Sequence, residues 1–232
     1  MAHLLSLSRM MKRMIAVATC AAFLLAAGSR AQMQSAPAQS PAGQSSDAPR
    51  PDTPRPMAQN RATDAYAIYS MLLPGEPFST MSADQAQHWG IADTTVNFED
   101  INPAIPPDIE LKPPQGNEKP FLEAVHDFMS RRYERITLTR AFHVDHDYKL
   151  LTPADVGELR DALAGPDPGS AIKDKWAGFP GITYFSAVYF NPSQTAALVY
   201  MSNFCTNLCA NGQWVYLEKQ DKQWVRRSGL NL

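Results

Sequence analysis

The sequence has 232 residues, of which 44% are hydrophobic and 19% charged, and its formal net charge is −2. A slightly acidic chain lacks the basic surface that nucleic-acid-binding proteins use, so no nucleic-acid partner is predicted. After the first 31 residues, no apolar run approaches the roughly 20 residues of a membrane helix, so no membrane span is predicted.

The first 31 residues have the three parts of an export signal. Arg9, Lys12 and Arg13 precede an apolar stretch from 14 to 28, which is too short to span a bilayer. Small residues then allow cleavage after Ala31. Residues 1–31 are therefore predicted to be a signal peptide, and the mature protein is expected to be soluble and secreted or periplasmic. Cleavage removes four positive charges and no acidic residue, which takes the formal charge from −2 to −6.

A linker and a single domain are predicted to follow the signal. Residues 32–62 are rich in Pro, Ala, Ser and Gln and contain no aromatic or β-branched apolar residue, a composition typical of a disordered linker. Residues 63–232 are long enough for one domain with one hydrophobic core.

Apolar spacing predicts helices in the first part of this domain. Residues 64–73 form a short amphipathic pattern, and Ser82 with Gln85 has the spacing of a capping box for a second helix that ends at Gly90. The prolines between 101 and 119 indicate a long surface loop. Helices are also predicted from Pro120 and from Pro153, and the second has Thr152 as its N-cap and ends at Gly165-Pro166. In the helix from Pro120, one apolar stripe is predicted, formed by Phe121, Leu122, Val125, Phe128 and Met129.

The carboxyl-terminal part changes to strand patterns. Four apolar, β-branched or aromatic segments span 184–190, 195–204, 213–219 and 223–230, with turn residues between them. This pattern predicts an antiparallel meander. The fold class is therefore α+β, with the N-terminal helices packed on one face of a four- to five-stranded sheet.

Cys205 and Cys209 are the only cysteines after the signal, and they lie in the loop between the second and third of these segments. A structural zinc site normally needs four ligands, and no second pair is nearby. A redox pair normally has two intervening residues, whereas this pair has three. In an oxidising compartment, a disulfide between the two is the simplest interpretation.

A second cluster of polar residues, "HVDHD", offers candidate metal ligands in His143, Asp145, His146 and Asp147. The spacing is unspecific, and a catalytic zinc site needs a third protein ligand that the sequence does not identify. A solvated turn is the preferred interpretation, and no metal or other cofactor is predicted.

The stretch from Phe185 to Val225, "FSAVYFNPSQTAALVYMSNFCTNLCANGQWVYLEKQDKQWV", resembles the C-terminal module of a group of uncharacterised secreted bacterial proteins. Their module contains Phe-Ser-x-Val-x-Phe-Asn, Ala-Leu-Val-Tyr, a Cys or Gly loop, Leu-Glu-Lys and a closing Trp. More distantly, the arrangement is similar to NTF2-like and cystatin-like α+β folds. The resemblance implies a shape and a compartment, but no catalytic residue.

These observations favour a non-catalytic binding or envelope-associated module with a protein or small-ligand partner in the cell envelope. The alternative hypothesis is a small metal-dependent or other hydrolase that uses His143 and His146. No catalytic residue is predicted for the favoured hypothesis, and its binding residues are not identifiable from the sequence.

Overall fold

A computed structural model describes residues 53–73, 88–164, 174–206 and 210–227, all of which belong to one compact unit spanning 47–232. The predicted signal peptide and most of the predicted linker lie outside the described residues. Residues 55–62, assigned to the linker from composition, contain a short strand and the start of a helix. The folded region therefore begins earlier than predicted.

In chain order, the helices and strands are β1 (Arg55–Pro56), α1 (Gln59–Leu72), β2 (Trp89–Ala92), α2 (Pro107–Glu110), α3 (Lys119–Arg131), β3 (Ile136–Thr137), β4 (Tyr148–Leu151), α4 (Pro153–Ala164), β5 (Ile182–Phe185), β6 (Tyr189–Phe190), β7 (Ala196–Phe204), β8 (Asn211–Gln220) and β9 (Gln223–Arg226). Helices and strands are interspersed up to α4, and the later helix and strand elements of the described chain, from β5 onward, are five strands.

The second half confirms the α+β prediction with a mostly antiparallel sheet. β5, β7, β8 and β9 pair in this order, each antiparallel to its neighbour, and β6 also pairs with β7. The predicted segment 184–190 is divided between β5 and β6. It is divided because Ser186 leaves the regular ladder: its hydroxyl accepts a hydrogen bond from the Tyr200 amide and donates one to the Ala187 carbonyl.

The sheet also has a parallel part that the sequence did not predict. β2 lies between β4 and β5 and is parallel to both. The predicted helix ending at Gly90 is wrong at its end, because Trp89 and Gly90 belong to β2; residues 74–87 lie outside the described part. Pairing with residues about 60 and 90 positions later determines this strand, and a local capping pattern carries no information about such partners.

The helices lie on both faces of the sheet rather than on one. The Tyr69 ring of α1 lies 4.8 Å from the ring of Phe185, which pairs with Met201 on β7. The Phe128 ring of α3 lies 5.2 Å from Trp214, which pairs with Tyr200. Adjacent residues on a strand point to opposite faces, so α1 and α3 cover different faces.

Helix α4 begins and ends as the sequence predicted and covers the same face as α3. Its Leu159 and Leu163 are buried in a core cluster with Leu151, Ile182 and Phe204. Phe204 and Tyr200 are four residues apart on β7 and therefore share a face. The two helices contact different ends of this face, and the sheet surface between them forms the floor of a cleft. None of the helices in the described ranges is long and apolar enough to cross a membrane.

Candidate functional site

A cleft of about 800 Å³ opens on the sheet face that α3 and α4 share. This volume lies within the range of small-molecule sites, roughly 300–1,000 Å³. One wall is α4, and the other is the segment from Thr94 to Asn102 together with Arg135. The sheet forms the floor.

Register produces this floor by aligning residues with little side-chain volume. Ala92 pairs with Leu151, Tyr184 pairs with Ser202, and Ser202 pairs with Gly212. All five residues line the cleft. The small side chains of Ala92 and Ser202 make the sheet surface low on either side of Tyr184, whereas the Tyr200 phenol covers the position of Gly212.

Gly212 has a specific role in shaping the floor. The phenol of Tyr200 extends diagonally across the β7–β8 pair, and a Cβ at position 212 would overlap its hydroxyl. Burial raises the pKa of Tyr200, and the nearby Glu110 carboxylate acts in the same direction. The Tyr200 ring also packs edge-on against Trp214 at 5.5 Å. A side chain at 212 would therefore displace a packed aromatic residue.

The wall opposite α4 is held by polar contacts. Asn97 accepts hydrogen bonds from the amides of Glu99 and Asp100, at 2.9 and 3.3 Å, and its own amide donates to the Asp100 carboxylate at 2.8 Å. Arg135 contacts both oxygens of the same carboxylate, at 2.7 and 2.8 Å. The positive charge of Arg135 is therefore already neutralised within the wall.

Tyr184 and Arg160 are different, because their donor groups are not matched in this way. The Tyr184 hydroxyl is buried, and no described residue accepts a hydrogen bond from it. Burial raises the pKa of Tyr184, and the charge of the nearby Arg160 and a hydrogen bond from its guanidinium offset this only in part. The Arg160 guanidinium lies over the Phe204 ring, 4.7 Å from its centroid.

One of the two predicted cysteines, Cys205, follows the cleft residue Phe204 in the chain. Cys205 directly follows β7, is 1% exposed and is disulfide-bonded. The chain's other cysteines, Cys20 and Cys209, lie outside the described residues, so the pairing of Cys205 with Cys209 stays a prediction.

The candidate metal ligands lie in an irregular segment before β4, as the turn interpretation predicted. His143, Asp145, His146 and Asp147 are all exposed. The His143 amide donates to the Ser70 hydroxyl at 2.8 Å, and the His146 ring lies 6.5 Å from that of Trp89. Within the described part of the chain, no three His, Cys, Asp or Glu residues are grouped so that they could hold a metal ion.

The residues that line the cleft were missed by sequence reasoning. They come from parts of the chain that are distant in sequence, and strand register together with the packing of α4 brings them to one place. These parts are the segment 94–102 and the elements β2, β4, α4, β5, β7 and β8. One signal was present: Gly212 follows the cysteine loop at the start of a strand, where a glycine often marks a close approach by another group.

Comparison with known proteins identified no relative of this chain. No protein-family model, curated protein or solved structure matches the chain. The resemblance noted for residues 185–225 therefore stays a prediction.

Proposed function

We propose that this is a non-catalytic binding protein of the cell envelope that takes one small ligand in the cleft between α4 and the Thr94–Asn102 segment. The observation that supports this most strongly is the composition of the cleft. Its lining combines an apolar surface, formed by residues such as Val156 and Phe204, with a few polar groups that have unused hydrogen-bonding capacity. Small-ligand sites commonly have this combination.

The position of the cleft in the sheet supports the same proposal. β2 and β4 are parallel and end side by side at Ala92 and Leu151, both of which line the cleft. In open sheets with parallel strands, ligands bind beyond the carboxyl ends of those strands. The ends of two strands and the start of α4 at Pro153 thus meet at one place.

The compartment is proposed from the sequence. The charged and apolar parts of residues 1–31, the linker composition that follows and the predicted Cys205–Cys209 disulfide all fit export to an oxidising compartment. Fractionation of cells that express the full chain tests this. Processed protein outside the cytoplasm, beginning at Gln32, is the expected result, and unprocessed protein in the cytoplasm would contradict it.

The ligand site is tested with N-phenyl-1-naphthylamine, a neutral probe that fluoresces in apolar surroundings. We expect saturable binding to the wild-type protein. Val156 lies on the α4 wall, and Val156→Trp should fill the cleft and weaken probe binding at least tenfold. Leu122→Trp is the matched control, because Leu122 is 51% exposed on α3 and does not line the cleft. Equal probe binding by the two tryptophan variants would contradict the proposal.

A further inference from the structure

We infer that the ligand of this cleft is an organic monocarboxylate with an apolar body, and that the Arg160 guanidinium binds its carboxylate. This inference rests on the proposed binding function and specifies its ligand class. Three features of the cleft support it: which of its charges are already paired, where these charges lie along the strands, and which surfaces surround Arg160.

Of the two arginines that line the cleft, Arg160 is the one without an ion pair to a described residue. Arg61 and Arg131 both contact the Asp127 carboxylate, at 2.6 and 2.9 Å, and Arg135 is bound by Asp100. Arg160 has no such ion pair with any residue in the described ranges, although it is held in place by the Phe204 ring. A guanidinium presents a planar fork of N–H donors that matches the two oxygens of a carboxylate.

A second unsatisfied donor lies beside it. Tyr184 lines the same cleft, and no described residue accepts a hydrogen bond from its buried hydroxyl. Burial raises the pKa of this phenol, so it stays protonated at neutral pH and can donate. A buried donor without an acceptor costs free energy, which a ligand oxygen at this position would recover.

The other charges in the cleft restrict the kind of anion. Asp93 and Asp100 line the cleft together with Arg135 and Arg160, so the lining has two negative and two positive side chains. The lining therefore carries no excess of positive charge that would favour a phosphate ester or another dianion, and Asp93 pairs with no cation among the described residues. A single negative charge fits this balance better.

Strand register also argues against an α-amino acid, in which Asp93 would bind the amine. Ala92 and Ser202 lie at about the same level of the sheet, next to Tyr184. Asp93 comes one residue after Ala92. Phe204, whose ring lies under Arg160, comes two residues after Ser202, and its strand runs in the opposite direction. At about 3.3 Å per residue, Asp93 and Phe204 are roughly 10 Å apart along the strands, which is too far for groups on one carbon atom.

The surroundings of Arg160 indicate that the rest of the ligand, beyond its carboxylate, is apolar. Val156 and Arg160 are four residues apart on α4 and share a helix face. Phe204 and the low floor formed by Ala92 and Ser202 complete this end of the cleft. A carboxylate at Arg160 would therefore place the rest of the molecule against apolar atoms.

The inference is tested by comparing how well a carboxylate and the corresponding neutral amide displace N-phenyl-1-naphthylamine. The two pairs are 4-phenylbutyrate with 4-phenylbutyramide, and hexanoate with hexanamide. Each pair has the same body and differs in charge. For wild type, at least one acid should compete about tenfold better than its amide, because hydrogen bonds between a guanidinium and a charged carboxylate are stronger than those to a neutral amide. Arg160→Gln should abolish this preference and leave amide competition unchanged, and Tyr184→Phe should reduce it in part.

Arg132→Gln is the matched control, since Arg132 does not line the cleft and lies over the Tyr133 ring. This variant should retain the preference for the acid within about threefold. The inference would be overturned if the probe bound but neither acid competed better than its amide, or if Arg160→Gln and Arg132→Gln had equal effects. Failure of the probe to bind wild type would instead contradict the proposed function.

Discussion

At the scale of single residues, the cleft depends on a glycine. The Tyr200 phenol occupies the space where a Cβ at Gly212 would project. We expect Gly212→Ala to lower the free energy of unfolding by about 1–3 kcal/mol, because overpacking forces a buried side chain to move. Urea denaturation measures the change.

Two further variants make the Gly212 prediction specific. Tyr200→Phe removes the overlapping hydroxyl, so Gly212→Ala should cost less in that background. Gly157→Ala in α4 is the control: no atom lies within 4 Å of the new Cβ, and alanine should stabilise the helix by about 0.5–1 kcal/mol. Equal costs of Gly212→Ala with and without the Tyr200 hydroxyl would show that the steric explanation is wrong.

The residues of the cleft could not be predicted from the sequence, whereas several structural residues could. Thr152 was expected at the start of α4, and its hydroxyl does accept from the Asp155 amide at 3.2 Å. Such contacts are local and follow from spacing. Tyr184 and Arg160 are brought to one site by α4 packing on β5 and β7, and neither residue belongs to a local pattern that marks a binding site.

At the scale of elements, one carboxylate joins parts of the fold that cover opposite faces of the sheet. Asp127 on α3 accepts from Arg61 of α1 at 2.6 Å, from Arg131 at 2.9 Å and from the Phe190 amide of β6 at 2.9 Å. Its side chain is 13% exposed. Asp127 therefore contacts α1 and the sheet edge at the same time.

We expect Asp127→Ala to lower the free energy of unfolding by about 3 kcal/mol, because it leaves partly buried guanidinium groups and an amide without their acceptor. Glu123→Gln provides the control on the same helix, since Glu123 pairs with an 84%-exposed Lys119 at 3.8 Å. Exposed pairs of this kind contribute about 0.5 kcal/mol or less. Chemical denaturation of both variants checks the prediction, which would be wrong if they lost the same stability.

The start of α4 provides a pH-dependent contact. A hydrogen bond from Lys175, at 2.8 Å, is the main cause of the lowered pKa of Asp155, and Thr152 contributes in the same direction. A carboxyl group whose pKa is lower in the folded state stabilises the fold above its unfolded pKa of about 4 and loses this effect as the pH falls. Lys175→Met should therefore make the fall in stability between pH 5 and pH 3 shallower.

Thermal unfolding of wild type and Lys175→Met across this pH range measures the difference. The contact is largely exposed, so the effect should be small and should decrease further at high salt. Parallel pH curves for the two proteins would show that the lysine does not influence the Asp155 titration.

The sequence predicted the start of α3 better than it predicted which side chains of this helix are buried. Helix α3 runs from Lys119 to Arg131, close to the predicted start, but the predicted stripe was too wide. Leu122 and Met129 are 51% and 50% exposed, whereas Ala124 is fully buried. The helix packs on a sheet through a narrow stripe, and the position of its axis depends on large partners such as Trp214, which hydrophobic spacing does not specify.

At the scale of the whole molecule, the antiparallel half was predictable because its strands follow one another and pair with chain neighbours. The parallel half was not, since β2 pairs with strands that come after α3 and after α4. This half contributes the ends of β2 and β4 to the cleft. The part of the fold that suggests a function is thus the part with the most distant contacts along the chain.

The most direct test of the binding site is an amide nitrogen–proton NMR titration of the processed protein with 4-phenylbutyrate. The account predicts the largest shifts at Ala92, Arg160, Ser202 and Gly212, and loss of these shifts in Arg160→Gln. Shifts confined to residues outside the cleft, such as the 143–147 segment, would contradict it.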